Sequence, residues 1–289
     1  MKNLNDVMAQ YLDEIQAKQR AGERGQLPKN VVQLPLWPET VRAVPNAALR
    51  SALFGAIKKG TRRYMEGETV AALDGIEIRY TGLRLDQGDL DVWESVLHIV
   101  RLQAMGEQCR FTAYAMLKLL GKTDAGSNRN TLHKRLMRLK ANAIEVQQGR
   151  YSYAGSLIDD VYRDKETRQY VIRLNPKLSA LFAADQYTQI DWAVRRELNG
   201  KPLAQWLHGY YASHAKPFPI KVARLLKLSG GEGVSPTSGR QSLRKALDAL
   251  ADASTANGQP FSHDIRGDLV HVQKLASGTQ RRHLAKKAS

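Results

Sequence analysis

One pattern occurs twice in this chain. Arg129–Leu139 reads RNTLHKRLMRL and Arg240–Leu250 reads RQSLRKALDAL. In register, Arg129 matches Arg240, Asn130 matches Gln241, Thr131 matches Ser242 and Lys134 matches Lys245. Leu132, Leu136 and Leu139 match Leu243, Leu247 and Leu250. Each leucine set falls at i, i+4, i+7, the spacing that lines one side of an α-helix. On steps of about 100°, Asn130, Lys134 and Arg138 point the other way. Helices are therefore predicted over Asn128–Asn142 and Gly239–Thr255. Before each copy stands an aromatic start and a leucine-rich segment, Phe111–Gly121 and Phe218–Gly230. After each comes a β-like stretch. Helix, turn, second helix, hairpin is the order of a winged helix-turn-helix domain. The expected fold class is α+β: tandem winged-helix domains preceded by a flexible N-terminal arm.

A helix with Leu inward and Lys, Arg and Asn outward fits a DNA major groove, with cations on phosphates and Asn or Arg on base edges. A plain solvated amphipathic helix has the same pattern; the recurrence favours the first reading. The candidate DNA contacts are Arg129, Asn130, Thr131, Lys134 and Arg138 in one copy. In the other they are Ser238, Arg240, Gln241, Ser242 and Lys245. Gln suits adenine edges, and Arg and Lys suit guanine. Asp248 and Asp252 restrict the second helix to DNA contact through its N-terminal half. The first stays basic to its end, as a helix lying along the backbone would.

The charge agrees. Lys+Arg of 44 against Asp+Glu of 28 gives +16 over 289 residues, which favours a polyanionic partner, nucleic acid first and an acidic membrane surface second. A hydrophobic content of 43% is that of an ordinary globular protein, and the length suffices for two cores. Cys109 is the single cysteine, so no intrachain disulfide forms, as in a reducing cytosol; it is expected to be a small buried residue. No secretory signal opens the chain and no apolar run approaches the ~20 residues of a membrane helix. The expected address is the bacterial cytoplasm, with no membrane partner.

Enzyme chemistry is not indicated. Gly121-Lys122-Thr123 resembles the end of a P-loop, but Met116 stands where the phosphate-cradling glycine is needed. The histidines form no His-x-His or His-x-x-x-His pair for a nickase metal. His133 is followed by Lys134, Arg135 and Leu136, not by the spacing of a tyrosine recombinase. No catalytic residue, metal or cofactor is expected.

Along the chain, residues 1–45 are expected to be an arm: a helix over 3–21, then a Pro- and Gly-rich linker over 22–45. Residues 46–185 form the first domain. Within it, a helix is predicted over Asn46–Lys59, with Asn46 as N-cap and Gly60 as stop. A hairpin follows at Val70–Leu73, Asp74-Gly75, Ile76–Tyr80. Another helix is predicted over Asp91–Ala104, opened by an Asp91-x-x-Glu94 capping box. Hairpins over 144–157 and 157–174 make up the wing, and Asn175-Pro176 opens a short helix. Residues 186–276 form the second domain, with a helix over Lys201–His214, a loop over Ser229–Ser238 and a hairpin turning at Gly267-Asp268. Residues 277–289 are a basic, uncapped, mobile tail adding non-specific phosphate contacts.

Two stretches carry a family resemblance. Gln33–Trp37, QLPLW, places Leu and Trp in a Pro-rich segment, a form suited to a pocket on a partner. It resembles the bacterial sliding-clamp binding motif, in which the Gln hydrogen-bonds and the Leu and aromatic residues fill the clamp's cleft. The resemblance assigns clamp contact to Gln33, Leu34, Leu36 and Trp37, with Trp37 in place of the usual Phe and Pro35 in the middle. The other reading is that Leu36 and Trp37 fold back onto the domain as a cap. Tyr170–Phe182, YVIRLNPKLSALF, is similar to the strand-Asn-Pro-helix stretch of plasmid replication initiators. In its whole order the chain resembles the replication initiator (Rep) family of IncP-type broad-host-range plasmids. That implies binding of double-stranded origin DNA at iterons, opening of an AT-rich region with its single strands, and recruitment of the host sliding clamp, replicative helicase and host initiator. It also implies plasmid copy control through an inactive dimer and an active monomer. The alternatives are a winged-helix transcriptional repressor and a DNA-nicking enzyme.

Overall fold

The computed structural model describes residues 32–288, apart from 58, 59, 61, 165, 184 and 232–234. The helix expected over 3–21 lies outside the described residues.

The first unit opens with β1 (Val41–Pro45), one helical turn α1 (Asn46–Leu49) and β2 (Phe54–Gly55). β3 (Tyr64–Thr69) pairs antiparallel with β4 (Ile76–Leu83). β5 (Leu85–Asp86) pairs in parallel with β2 and runs into α2 (Gln87–Val100). Then come β6 (Cys109–Thr112), α3 (Ala113–Leu119), α4 (Gly126–Lys140), β7 (Ala143–Gln148), β8 (Tyr151–Gly155), β9 (Asp160–Arg163) and β10 (Gln169–Arg173). A 3-10 helix, Pro176–Phe182, is capped by Asn175, whose side chain accepts from Lys177 N, with Pro at the first position as expected. β11 (Tyr187–Asp191) closes the unit. The second unit holds α5 (Trp192–Glu197), α6 (Pro202–Ala212), β12 (Ile220–Lys221), α7 (Val222–Leu228), α8 (Pro236–Ala256), β13 (Phe261–Arg266), β14 (Leu269–Lys274) and α9 (Gly278–Ala288).

The two units share one topology. In each, a helix is followed by a strand, two helices and a hairpin, with β7–β8 inserted ahead of that hairpin in the first unit. The strand preceding the second helix pairs with the later hairpin strand, giving sheet orders β6-β10-β9 and β12-β14-β13. The repeated leucines explain the match. Leu132, Leu136 and Leu139 on α4, and Leu243, Leu247 and Leu250 on α8, are at most 1% exposed. Each set packs its helix onto an earlier helix of the same unit, α4 onto α2 and α8 onto α6. The two cores are separate: one runs from Leu34 to Ile190, the other from Val194 to Val272.

The units are nonetheless tied together. β1 and β11 form a ladder from Val41↔Asp191 to Pro45↔Tyr187. Arg195, on α5, is 1% exposed and reaches α2, donating from Nε to Asp91 Oδ1 at 2.8 Å and from its terminal nitrogens to Gln87. Trp206 Nε1 on α6 donates to Ser51 O at 2.9 Å, and Arg50 Nε to Ser213 Oγ at 3.0 Å.

Several expectations are corrected. The linker expected over 22–45 is structured from residue 32 onward, as a packed segment followed by β1. The helix expected over Asn46–Lys59 is a single turn. Asn46 does not cap it: its side chain donates to Asp185 O and accepts from Thr188 Oγ1. Ser51 then bridges to Ala72, and Phe54 is drawn against Trp93 at 5.6 Å. α2 starts at Gln87, before the predicted Asp91, because Asp86 and Asp89 form the capping box. Asp91 and Glu94 serve Arg195 instead. The strand paired with Ile76–Leu83 is Tyr64–Thr69, and across the expected Asp74-Gly75 turn Val70 N donates to Ile78 O at 2.9 Å and Ile76 N to Leu73 O at 3.1 Å. The hairpin β7–β8 does not join the wing; β7 pairs with β4, so a four-stranded sheet β3-β4-β7-β8 stands apart from β9–β10. Phe111 and Phe218 are not equivalent either. Phe111 lies buried in β6, whereas Phe218 is 80% exposed in the loop before β12, where Ile220 takes the corresponding pairing position. α8 begins within the predicted loop, capped by Ser235 with Pro236 at the first position. The basic tail is helical: Ser277 Oγ accepts from Gln280 N and Gln280 Oε1 from Ser277 N, a reciprocal cap.

Candidate nucleic-acid interface

The face of α4 opposite its leucines carries Ser127, Asn130, Thr131 and Lys134, all exposed. Thr131 Oγ1 back-bonds to Ser127 O at 2.9 Å. Arg129 is exposed too, but its guanidinium is aligned in a fork on Asp124, with both contacts at 2.6 Å. Arg138, expected on the DNA face, turns inward. Its Nη2 donates to Asp89 Oδ1 at 2.6 Å. The reason is electrostatic: Asp89 is fully buried at the start of α2, and burial pushes its carboxyl up, assisted by the neighbouring Asp86. Arg138, with Arg62 at 3.6 Å and Arg135 at 3.9 Å, supplies the charge that keeps this site populated. His133 lies beside β10, its Nδ1 3.2 Å from Tyr170 Oη.

On α8 the outward face presents Ser238, Gln241, Ser242 and Lys245, and Arg240 is half-buried on its flank. Arg244 is exposed on this helix as well. Sequence comparison hid it, because the repeat pairs it with His133. The signal available was its place three residues after Gln241, on the adjacent row. Asp248 is not left facing a phosphate, since His263 Nε2 on β13 sits 3.0 Å from its Oδ1. Beside α4 the hairpin β9–β10 offers exposed Tyr162, Arg163 and Arg168. Arg168 adopts φ 56° at the turn, and Asp164 Oδ1 accepts from the amides of Glu166 and Thr167 to close it. Tyr114 is exposed at the start of α3.

The pentapeptide Gln33–Trp37 is placed differently from the expected free segment. Leu34 and Trp37 are 2% and 4% exposed, and Leu36 is 47% exposed. Trp37 stacks on Phe182 with 7° between planes and donates from Nε1 to His98 Nδ1 at 3.0 Å. Gln33 Nε2 donates to Arg101 O at 3.1 Å. Trp37, but not Leu36, thus follows the capping alternative. Glu39 ties His98 and Arg101 together; the hydrogen bond from His98, despite partial burial, holds its carboxyl at about 2. Burial holds the His98 imidazole down at about 4.

Elsewhere, burial pushes the Cys109 thiol up to about 12, as expected of an unreactive core cysteine. Lys122 of the P-loop-like triplet donates to Asn199 Oδ1 at 2.7 Å. Among the described residues no cluster of His, Cys, Asp or Glu is arranged to hold a metal ion, and no helix is long and apolar enough to cross a membrane.

The fold is shared with domains 2–3 of RctB, at a TM-score of 0.51 and 13% identity over 79% of this chain and 97% of that one. A selenomethionine derivative of the same domains gives a TM-score of 0.50 and 11% identity over 81% and 98%. The chain belongs to the TrfA protein family, whose model matches residues 15–274. It is similar to the plasmid replication initiator protein TrfA of Escherichia coli, with 29% identity over 247 residues. That match covers 82% of this chain and 63% of the relative's length.

Proposed function

We propose that this chain is a plasmid replication initiator whose two units are winged helix-turn-helix domains that bind iterons at a plasmid origin. α4 and α8 lie in successive major grooves, and β9–β10 and β13–β14 are the wings. The observation that carries this reading is the recurrence of one topology with the same outward triplets, Ser127/Asn130/Lys134 and Ser238/Gln241/Lys245, on α4 and α8, the corresponding helices of the two units. Gln241 and Asn130 read base edges; Lys134, Lys245, Arg240, Arg244 and the wing arginines bind phosphates. Ser242 and Thr131 flank the reading rows. Arg129 contacts DNA only after exchanging Asp124 for phosphate.

Membership of the TrfA family supports the rest of the reading: opening of an adjacent AT-rich region, contact with the host sliding clamp through Gln33, Leu34, Leu36 and Trp37, recruitment of helicase and host initiator, and a monomer–dimer equilibrium. The work is non-catalytic and takes place in the bacterial cytoplasm. Footprinting on the origin of the host plasmid tests the assignment. Protection of direct repeats, lost in a Lys134→Ala, Lys245→Ala double variant that remains folded, is the expected result. Unaltered protection by that variant would remove the groove assignment.

A further inference from the structure

We infer that Gln33–Trp37 is stored on α2 as a docked strap, so that a sliding clamp gains access to it only after the strap lifts away. The inference rests on the clamp-binding reading above and concerns its regulation. The side chains that would enter the clamp's cleft are the ones already engaged: Leu34 in the core, Trp37 against Phe182 and His98, and Gln33 on Arg101 O. Only Leu36 projects outward. A single leucine is too small an anchor for a peptide site that takes several side chains. One set of residues cannot fill two pockets at once, so closure of the strap and clamp binding exclude each other.

The attachment is built to open locally. Among the described residues, the backbone links of the strap are Met105 N to Val32 O at 2.7 Å, the bridge Gln33↔Ala104, and Val41 N to Pro38 O at 3.3 Å. Pro35 and Pro38 have no N–H to add. From Thr40 onward the chain is secured, since Trp192 N donates to Thr40 O and β1 follows in its ladder with β11. A strap with few ladder bonds next to a fully paired strand is a unit that can detach without the rest. Its polar fastening converges on Glu39, which is 46% exposed and lies outside the pentapeptide. Glu39 contacts His98 Nε2 at 2.8 Å and Arg101. Arg101 Nε in turn donates to Trp37 O at 3.0 Å. Lifting the strap gives His98 and Arg101 to water instead of leaving them buried without partners, so the open state carries no orphaned charge.

Partner affinity is then reduced by the fraction of molecules that are open. The test compares purified clamp binding by three species: a synthetic peptide of residues 30–40, the full chain, and full-chain Glu39→Ala. If the strap is open in about one molecule in a hundred, the peptide binds on the order of 100-fold tighter than the full chain. Glu39→Ala recovers about tenfold of that difference. In the same variant the Met105 amide exchanges faster while amides inside α2 keep their protection. Equal binding by peptide and full chain overturns the inference and leaves the clamp reading intact. A peptide that fails to bind the clamp removes the clamp reading and the inference together.

Discussion

Arg138 Nη2 lies 2.6 Å from Asp89 Oδ1, and the pair faces the interior of the first unit. Lys134, one turn earlier on α4, faces solvent. Two cations of one helix therefore have separate duties, and their removal has separate signatures. Asp89→Ala leaves three arginines around a buried site without their anion and is expected to destabilise the unit by about 3–5 kcal/mol. Arg138→Ala lowers the denaturation midpoint without altering the salt dependence of DNA affinity. Lys134→Ala does the reverse, reducing the log–log salt slope by about one. Paired denaturation and salt-titration curves for both variants check this; a reduced slope for Arg138→Ala with an unmoved midpoint would reverse the assignment.

Gln241 and Lys245 share the outer row of α8 and are expected to differ in kind. Gln241→Ala relaxes the preference at one base position by about 1–3 kcal/mol, while Lys245→Ala weakens binding about equally across sequences. Arg244→Ala is expected to behave like the lysine. Binding to a set of singly substituted repeats measures all three.

Arg195 joins the second unit to α2 through Asp91, Glu94 and Gln87. Its replacement by Ala removes the cation beside the partly enclosed Asp91 and the wholly buried Glu94, whose carboxyl burial pushes up to about 8, with an expected loss of about 3–5 kcal/mol. Because the units have separate cores, unfolding of Arg195→Ala by urea is expected to split into two transitions where the parent shows one. A single transition of unchanged midpoint would deny Arg195 its role as a tie.

Stability is expected to fall in mild acid. Burial holds the imidazoles of His98 and His214 at about 4 and that of His208 at about 3, against an ordinary value of 6.5. Between these values and 6.5 the unfolded chain binds protons that the folded chain refuses, so unfolding free energy rises with pH across that window and is lost as pH falls through it. Glu39, held at about 2, extends the loss below its ordinary value of 4.5. Urea midpoints measured from pH 4 to 7 test the slope, and His208→Leu should flatten it by the share of one proton. Glu94, pushed up to about 8 by burial, opposes this slope by about one proton, and a parent profile no steeper than that of His208→Leu would contradict the burial of that ring.

The repeated leucines made the reading helices and their buried sides legible, because i, i+4, i+7 spacing survives any tertiary context that keeps one face inward. The second hairpin was legible for the same local reason: Gly267 adopts the positive φ of 56° its tight turn needs. What escaped was long-range. Asn46 has the chemistry of a helix cap, but Asp185 and Thr188, more than a hundred residues away, claim its side chain. Arg138 has the periodicity of a surface cation, but nothing local announces that Asp89 is buried opposite it. Asp91-x-x-Glu94 imitates a capping box just downstream of the real one, whose third residue is another aspartate. The pentapeptide was found by its pattern; its docked position depends on His98, Arg101 and Phe182, which no window around it contains.

The β1–β11 ladder and the Arg195 tie also act as a ruler. With α4 and α8 fixed to one another, the proposed groove contacts set the distance between the bases they meet by protein geometry and not by flexible chain. A repeat lengthened by half a helical turn, about 5 base pairs, would offer its second half on the wrong side of the duplex, and iteron length becomes as much a part of the recognised message as its letters.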